Sequence, residues 1–84
     1  MAKMLIVDDE QNIREIIREY AEFEGYETDE TDDGMKAVRM AREENYDLII
    51  MDVMMPKLDG YSAVKEIRKF SDVPVIILSA RVEE

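Results

Sequence analysis

The sequence predicts an α/β protein on a doubly wound parallel sheet, with about four strands in the order 2-1-3-4 and three helices. Short apolar runs alternate with segments of helical period along the whole chain, the pattern of successive βαβ units. Three of the four runs are apolar throughout, as strands covered on both faces are; one is polar, as an edge strand is. The length of 84 residues leaves room for one small domain and no more.

KMLIV, residues 3 to 7, is the first strand. Residues 11 to 24 place Ile13, Ile16, Ile17, Tyr20 and Phe23 close to one helical face, and Gly25 follows as a C-terminal cap. YETDET, residues 26 to 31, has β-favourable Tyr and Thr but little apolar surface, so it reads as the edge strand. Gly34 to Glu44 carries Ala37, Val38 and Ala41 on one face and makes the second helix. YDLIIMDV is the third strand, and Gly60 to Phe70, with Ala63, Val64, Ile67 and Phe70, the third helix. VPVIIL, residues 73 to 78, is the fourth strand. Strands one, three and four are then central by composition and strand two lies at an edge, which gives the order 2-1-3-4.

A net charge of −10 argues against this chain gripping nucleic acid, because phosphate contacts need Lys and Arg. It suits a cation or a basic partner surface. Cysteine and histidine are both absent, which removes disulfides, thiolate or imidazole zinc sites and histidine proton transfer. The sequence contains no apolar run of membrane-spanning length and no signal-peptide pattern, so a cytoplasmic protein with no membrane partner is expected.

In such a sheet, ligands bind beyond the carboxyl ends of the strands, where the strand order reverses. For the order 2-1-3-4 that point lies between strands one and three. Strand one runs out into Asp8, Asp9 and Glu10, and strand three into Asp52. Three or four carboxylates therefore meet in one crevice. Like charges this close raise each other's pKa unless a cation neutralises them. Oxygen donors without His or Cys favour a hard ion, Mg²⁺ ahead of Ca²⁺. Plainer readings compete. Asp8 or Asp9 would serve equally well to cap the helix that follows. Asp52 precedes a loop, so capping does not account for it. Ser79, at the end of strand four, reads alone as a turn residue; its place beside the acids gives it a second reading. TDETDD, residues 28 to 33, is a solvated edge and helix N-terminus, and the methionines fill core and loops.

With these residues in place the chain resembles the receiver domain of two-component response regulators. The text that carries the likeness is MLIVDDE, DLIIMDVMMPKLDG and VPVIILSAR, in register over the whole chain. EIRKFSDVPVIILSAR is similar in particular to OmpR/PhoB-type transcription regulators. The resemblance implies a flavodoxin-like fold and a phosphoacceptor module, phosphorylated on Asp52 by a histidine kinase in a Mg²⁺-dependent reaction. Asp9 and Asp52 would ligate Mg²⁺ directly, with the backbone carbonyl of Met54, and Asp8 would act through water. Ser79 would hydrogen-bond the phosphoryl group and carry the switch, with Ala80 leaving room for it. Met54 and Arg81 would flank the site and tune hydrolysis. Pro56, Asp59 and Gly60 would shape the loop into the third helix. The parent protein would regulate transcription, touching DNA through an output domain absent from these residues.

The same likeness implies that residues 1–84 are a partial receiver domain, short of the last helix-strand-helix. No lysine follows Lys69, so the lysine that pairs with the phosphoryl group in the family has no counterpart. Slow phosphorylation is expected, since one such charge-stabilising group is worth roughly 10²- to 10³-fold in rate. The expected chemistry is self-phosphorylation and dephosphorylation, not enzymatic turnover. Two other readings stand beside it. A Mg²⁺-dependent phosphatase with an Asp nucleophile would need a second Asp two residues after the first, as in haloacid-dehalogenase-type enzymes, and that position is Met54. A fragment with silent acids would act only as a structural or assembly unit. A flavin or dinucleotide site is disfavoured, because no Gly-rich loop follows strand one. Finally, VPVIIL is apolar on both faces with little sequence after it, so a homo-oligomer through the fourth strand is expected.

Overall fold

The structure is a computed structural model that describes residues 1–55 and 57–78. Its elements run β1 (Lys3–Val7), α1 (Gln11–Phe23), β2 (Glu27–Thr31), α2 (Gly34–Glu43), β3 (Leu48–Asp52), α3 (Gly60–Arg68) and β4 (Val75–Leu78). All seven lie where the sequence pattern predicts, with ends shifted by up to two residues. The four strands form one parallel sheet in the order β2-β1-β3-β4.

Alternation along the strands builds two apolar layers. Leu5, Val7, Ile49 and Met51 point to one face and pack with Ala37, Ala63 and Ile67 from α2 and α3. Met4, Ile6 and Ile50 point to the other and pack with Ala21 and Ile17 from α1. This two-sided covering is why β1 and β3 are continuous apolar runs. Among the described residues β2 has only β1 beside it, and it buries only Thr31 fully, as its polar text demands. β4 pairs with β3 alone among the described residues, and Ile76 and Ile77, on opposite faces, are 49% and 38% exposed.

The helix ends follow local chemistry. The turn after α1 is closed by two backbone bonds, Tyr26 N–H to the Ala21 carbonyl (2.9 Å) and Gly25 N–H to the Glu22 carbonyl (3.0 Å). That pairing is the Schellman motif, and it requires the left-handed φ of 94° found at Gly25. Asp33 caps α2 by accepting from the N–H groups of Met35 and Lys36, and Asp59 caps α3 by accepting from Ser62 N–H. Each cap is worth about 1 kcal/mol.

A Cβ at Gly25 would meet no atom within 4 Å, so only backbone strain opposes a side chain there. Gly25→Ala should therefore lower stability by about 1–2 kcal/mol. Urea unfolding checks this; an unchanged midpoint would contradict the cap.

Candidate functional site

The register of the sheet sets the site. Val7 of β1 lies beside Met51 of β3, so the next residues, Asp8 and Asp52, stand side by side at the carboxyl ends of the two strands. This is the point where the strand order reverses. Asp8, Asp9 and Asp52 each offer a carboxylate oxygen within 4.8 Å of the others. Asp8 and Asp52 are buried, at 5% and 6% exposure, and Asp9 faces solvent.

Each buried acid is steadied by its own turn. Asp8 Oδ1 accepts from Glu10 N–H at 2.9 Å, and Asp52 Oδ1 accepts from Met54 N–H at 3.1 Å. A short polar side chain that bonds the backbone two residues on forms an Asx turn. The N-cap of helix α1 is Glu10, with no side-chain cap bond, so neither Asp8 nor Asp9 fills the capping role that competed for them. Burial pushes the Asp8 carboxyl above the usual range, and the charges of Asp9 and Glu10 add to the shift against the bond from Glu10 N–H. Burial likewise raises Asp52, opposed by Met54 N–H and reinforced by the charges of Asp8 and Asp9.

The loop after β3 is held from beneath. A Cβ on Gly60 would collide with the backbone of Asp52 and Val53, and one on Gly34 with the backbone of Leu58. Both helices therefore begin on glycine so that the loop can lie against them. Met54 lies in this loop, 57% exposed. Lys57 takes a left-handed φ of 65°, and its ammonium lies 3.8 Å from Asp33. Pro56, Ser79, Ala80 and Arg81 lie outside the described residues.

Spacing along the chain singles out neither Arg14, which adjoins the acids, nor Glu30, which holds it. Arg14 Nη1 donates to the Asp8 carbonyl at 2.8 Å, and its Nε to Glu30 at 3.2 Å. The only hint in the text is a pair of arginines one turn apart, Arg14 and Arg18, in the helix that follows the acids. Thr31 Oγ1 is buried with no partner among the described residues.

As oxygen donors the three acids fit a hard divalent cation. The geometry brings together Asp8, Asp9 and Asp52 of the expected set and leaves Glu10 as the N-cap of α1. Raised carboxyl pKa values have a direct consequence. The folded state holds these protons more tightly than the unfolded chain. The two groups thus favour the fold below the ordinary carboxylate range, and that support is lost as pH rises through their folded values. Two unit charges at about 4 Å repel by ~1 kcal/mol even in water. Asp52→Asn, free of metal, should therefore raise the melting temperature at pH 7 by ~4–8 °C for each such kcal/mol, and the gain should shrink as pH falls into the carboxylate range. Thermal scans across pH check both. A melting temperature lowered at pH 7 would contradict the repulsion.

Comparison with known proteins agrees with this architecture. The family model described as the response regulator receiver domain matches residues 4–84. The transcriptional regulatory protein ResD of Bacillus subtilis is 45% identical over 82 residues, 98% of this chain and 34% of that protein. The chain thus spans about a third of that relative's length. The response regulator protein TrrA of Thermotoga maritima, solved in complex with Mg(2+)-BeF, superposes with a TM-score of 0.91 at 43% identity, covering 96% of this chain and 71% of that one. A structure of the histidine kinase ThkA in complex with TrrA gives 0.90 at 42% identity, covering 99% and 72%. The chain belongs to the response regulator receiver domain family.

Proposed function

We propose that this chain is the phosphoacceptor module of a two-component response regulator, phosphorylated on Asp52 by a histidine kinase with Mg²⁺ present. The observation that carries the reading is the convergence of Asp8, Asp9 and Asp52 within 4.8 Å at the sheet's switch point. Relatives support it: ResD is named a transcriptional regulatory protein, TrrA is solved with Mg(2+)-BeF, and a kinase is solved in complex with TrrA.

Asp9 and Asp52 would hold the cation, with the Met54 carbonyl, and Asp8 would act through water. When bound, the cation supplies positive charge that offsets the repulsion among the acids and the charge on transferring phosphoryl oxygens. Everything else belongs to the chain. The Asx turn at Met54 steadies one Asp52 oxygen and leaves the other to attack. An oxygen–phosphorus bond forms at Asp52, the phosphorus–nitrogen bond of a phosphohistidine breaks, and the imidazole leaves with the electron pair. Ser79 would sense the new phosphoryl oxygens, with Ala80 leaving space and Met54 and Arg81 flanking the approach. This is self-modification, not turnover. A hydrolase of the two-Asp kind lacks its second acid, since Met54 stands there. We place the parent protein in the cytoplasm as a regulator of transcription; among the described residues no helix is long and apolar enough to cross a membrane.

Acetyl phosphate with Mg²⁺ should label the chain by one phosphoryl group in intact-mass spectra. Labelling should vanish in Asp52→Asn and on chelation, and Mg²⁺ affinity should fall in the same variant. Label retained in Asp52→Asn would move the phosphoacceptor elsewhere. A second reading concerns association. Among the described residues β4 pairs with β3 alone and exposes Ile76 and Ile77, and apolar edges are templates for pairing. A second copy pairing there would extend the sheet. Sedimentation equilibrium should show a dimer or larger species; a monomer at high micromolar concentration would dismiss it.

A further inference from the structure

We propose that Arg14, held by Glu30, is a positioning residue for the carboxylate site: it pins the backbone carbonyl of Asp8 and so sets where the acids after β1 stand relative to Asp52. The proposal rests on the metal-binding reading above and names a part of the site outside the acids.

The guanidinium spans three elements. It belongs to α1, its Nη1 donates to the Asp8 carbonyl at 2.8 Å, and its Nε donates to Glu30 Oε1 of β2 at 3.2 Å. Glu30 is itself fixed from the other side, since its Oε2 accepts from Arg18 Nη1 at 2.9 Å. The Arg14 and Glu30 side chains are only 17% and 25% exposed, so this pair is better shielded than an ordinary surface ion pair.

The turn from Asp8 to Glu10 has few other supports. Asp8 N–H bonds to the Thr31 carbonyl at 3.2 Å, which extends the β1–β2 ladder by one residue. The Asp8 side chain accepts from Glu10 N–H, and the Glu10 carbonyl accepts from Arg14 N–H at 3.2 Å. With the guanidinium bond added, Arg14 holds both ends of the turn, one through its side chain and one through its backbone. Asp9 lies between those ends.

Helix stability does not explain an arginine here. A cation near the N-terminus of a helix opposes the macrodipole. Among the described residues, Arg14 makes no ion pair with Asp8, Asp9 or Asp52; its ion pair is with Glu30. The side chain must donate in two directions at fixed angles, which a planar guanidinium does and a lysine ammonium on a flexible stem does not.

Position and charge predict opposite results, which makes the test sharp. A positive group near a cation site repels the cation. Were Arg14 merely a nearby charge, Arg14→Met would bind Mg²⁺ more tightly and Arg14→Lys would bind it unchanged. As a positioning residue, both variants should bind Mg²⁺ about tenfold more weakly, the size of loss usual for outer-shell partners. Glu30→Gln should weaken binding in the same direction. Calorimetric titration with MgCl₂ reads the sign. Amide hydrogen exchange in metal-free protein supplies a second reading. Exchange at Asp8 and Glu10 should quicken in Arg14→Lys while Ile49 to Met51 keep their protection. Tighter Mg²⁺ binding in Arg14→Met overturns the proposal, and so does exchange that quickens equally everywhere. Should the parent chain take up no Mg²⁺, the metal reading falls and exchange alone decides: faster exchange confined to the turn upholds the clamp, and unchanged exchange overturns it.

Discussion

Asp8 and Asp52 carry carboxylates into nearly dry surroundings at the ends of two adjacent strands, with Asp9 beside them. Their mutual repulsion acts on a domain whose net stability is the small difference of large terms. What resists it lies directly below. Leu5, Ile6, Val7, Ile49 and Met51 have no measurable exposure, so the strands that end in these acids are the most fully buried part of the protein. The apolar layers and the charged crevice are thus two ends of the same strands. Burial that secures the strands also strips water from the acids, which raises their affinity for protons and, equally, for a cation.

The site is shaped more by backbone than by side chains. Asp8 and Asp52 are held by N–H groups two residues on, and Asp8 also by its own carbonyl and amide. The loop after β3 is seated by Gly34 and Gly60, where the absence of a Cβ lets backbone approach backbone. Caps from Asp33 and Asp59 fix the helices that begin at those glycines. Carboxylate oxygens are thereby left free on the side facing the crevice. A ligand set made of side chains that bonded one another would have none to spare.

Strand order was readable in the sequence because burial leaves a compositional mark. LIIMD and MLIV are apolar throughout, whereas ETDET is not, and that contrast places β2 at an edge. The acids were readable because topology carries strand ends to one place. By the same mark VIIL reads as a central strand; among the described residues it pairs with β3 and has two exposed isoleucines. The role of Arg14 was illegible because its guanidinium acts on a backbone carbonyl six residues away in sequence, and a backbone carbonyl carries no residue-type signal.

Glu30 illustrates how an edge strand with little apolar surface still acts on the site. β2 has little core to contribute, since only Thr31 is fully buried. Its polar residues instead place Glu30 on one face, between Arg14 and Arg18, and Asp29 on the other, under the Tyr46 hydroxyl at 2.6 Å. Tyr46 rises far above its usual pKa through burial and that bond, so it stays a neutral donor at any physiological pH. Adjacent residues of β2 are thus tied in two directions, Asp29 to the loop before β3 and Glu30 to the helix that follows β1. The strand's acids therefore join its neighbours to each other where hydrophobic contact is too sparse to do so. Excess negative charge in this segment, which reads as a solvated edge, is partly structural: it supplies acceptors that orient the few cations in the chain. Arg14 is the one of those cations whose remaining donor reaches the backbone of the carboxylate site.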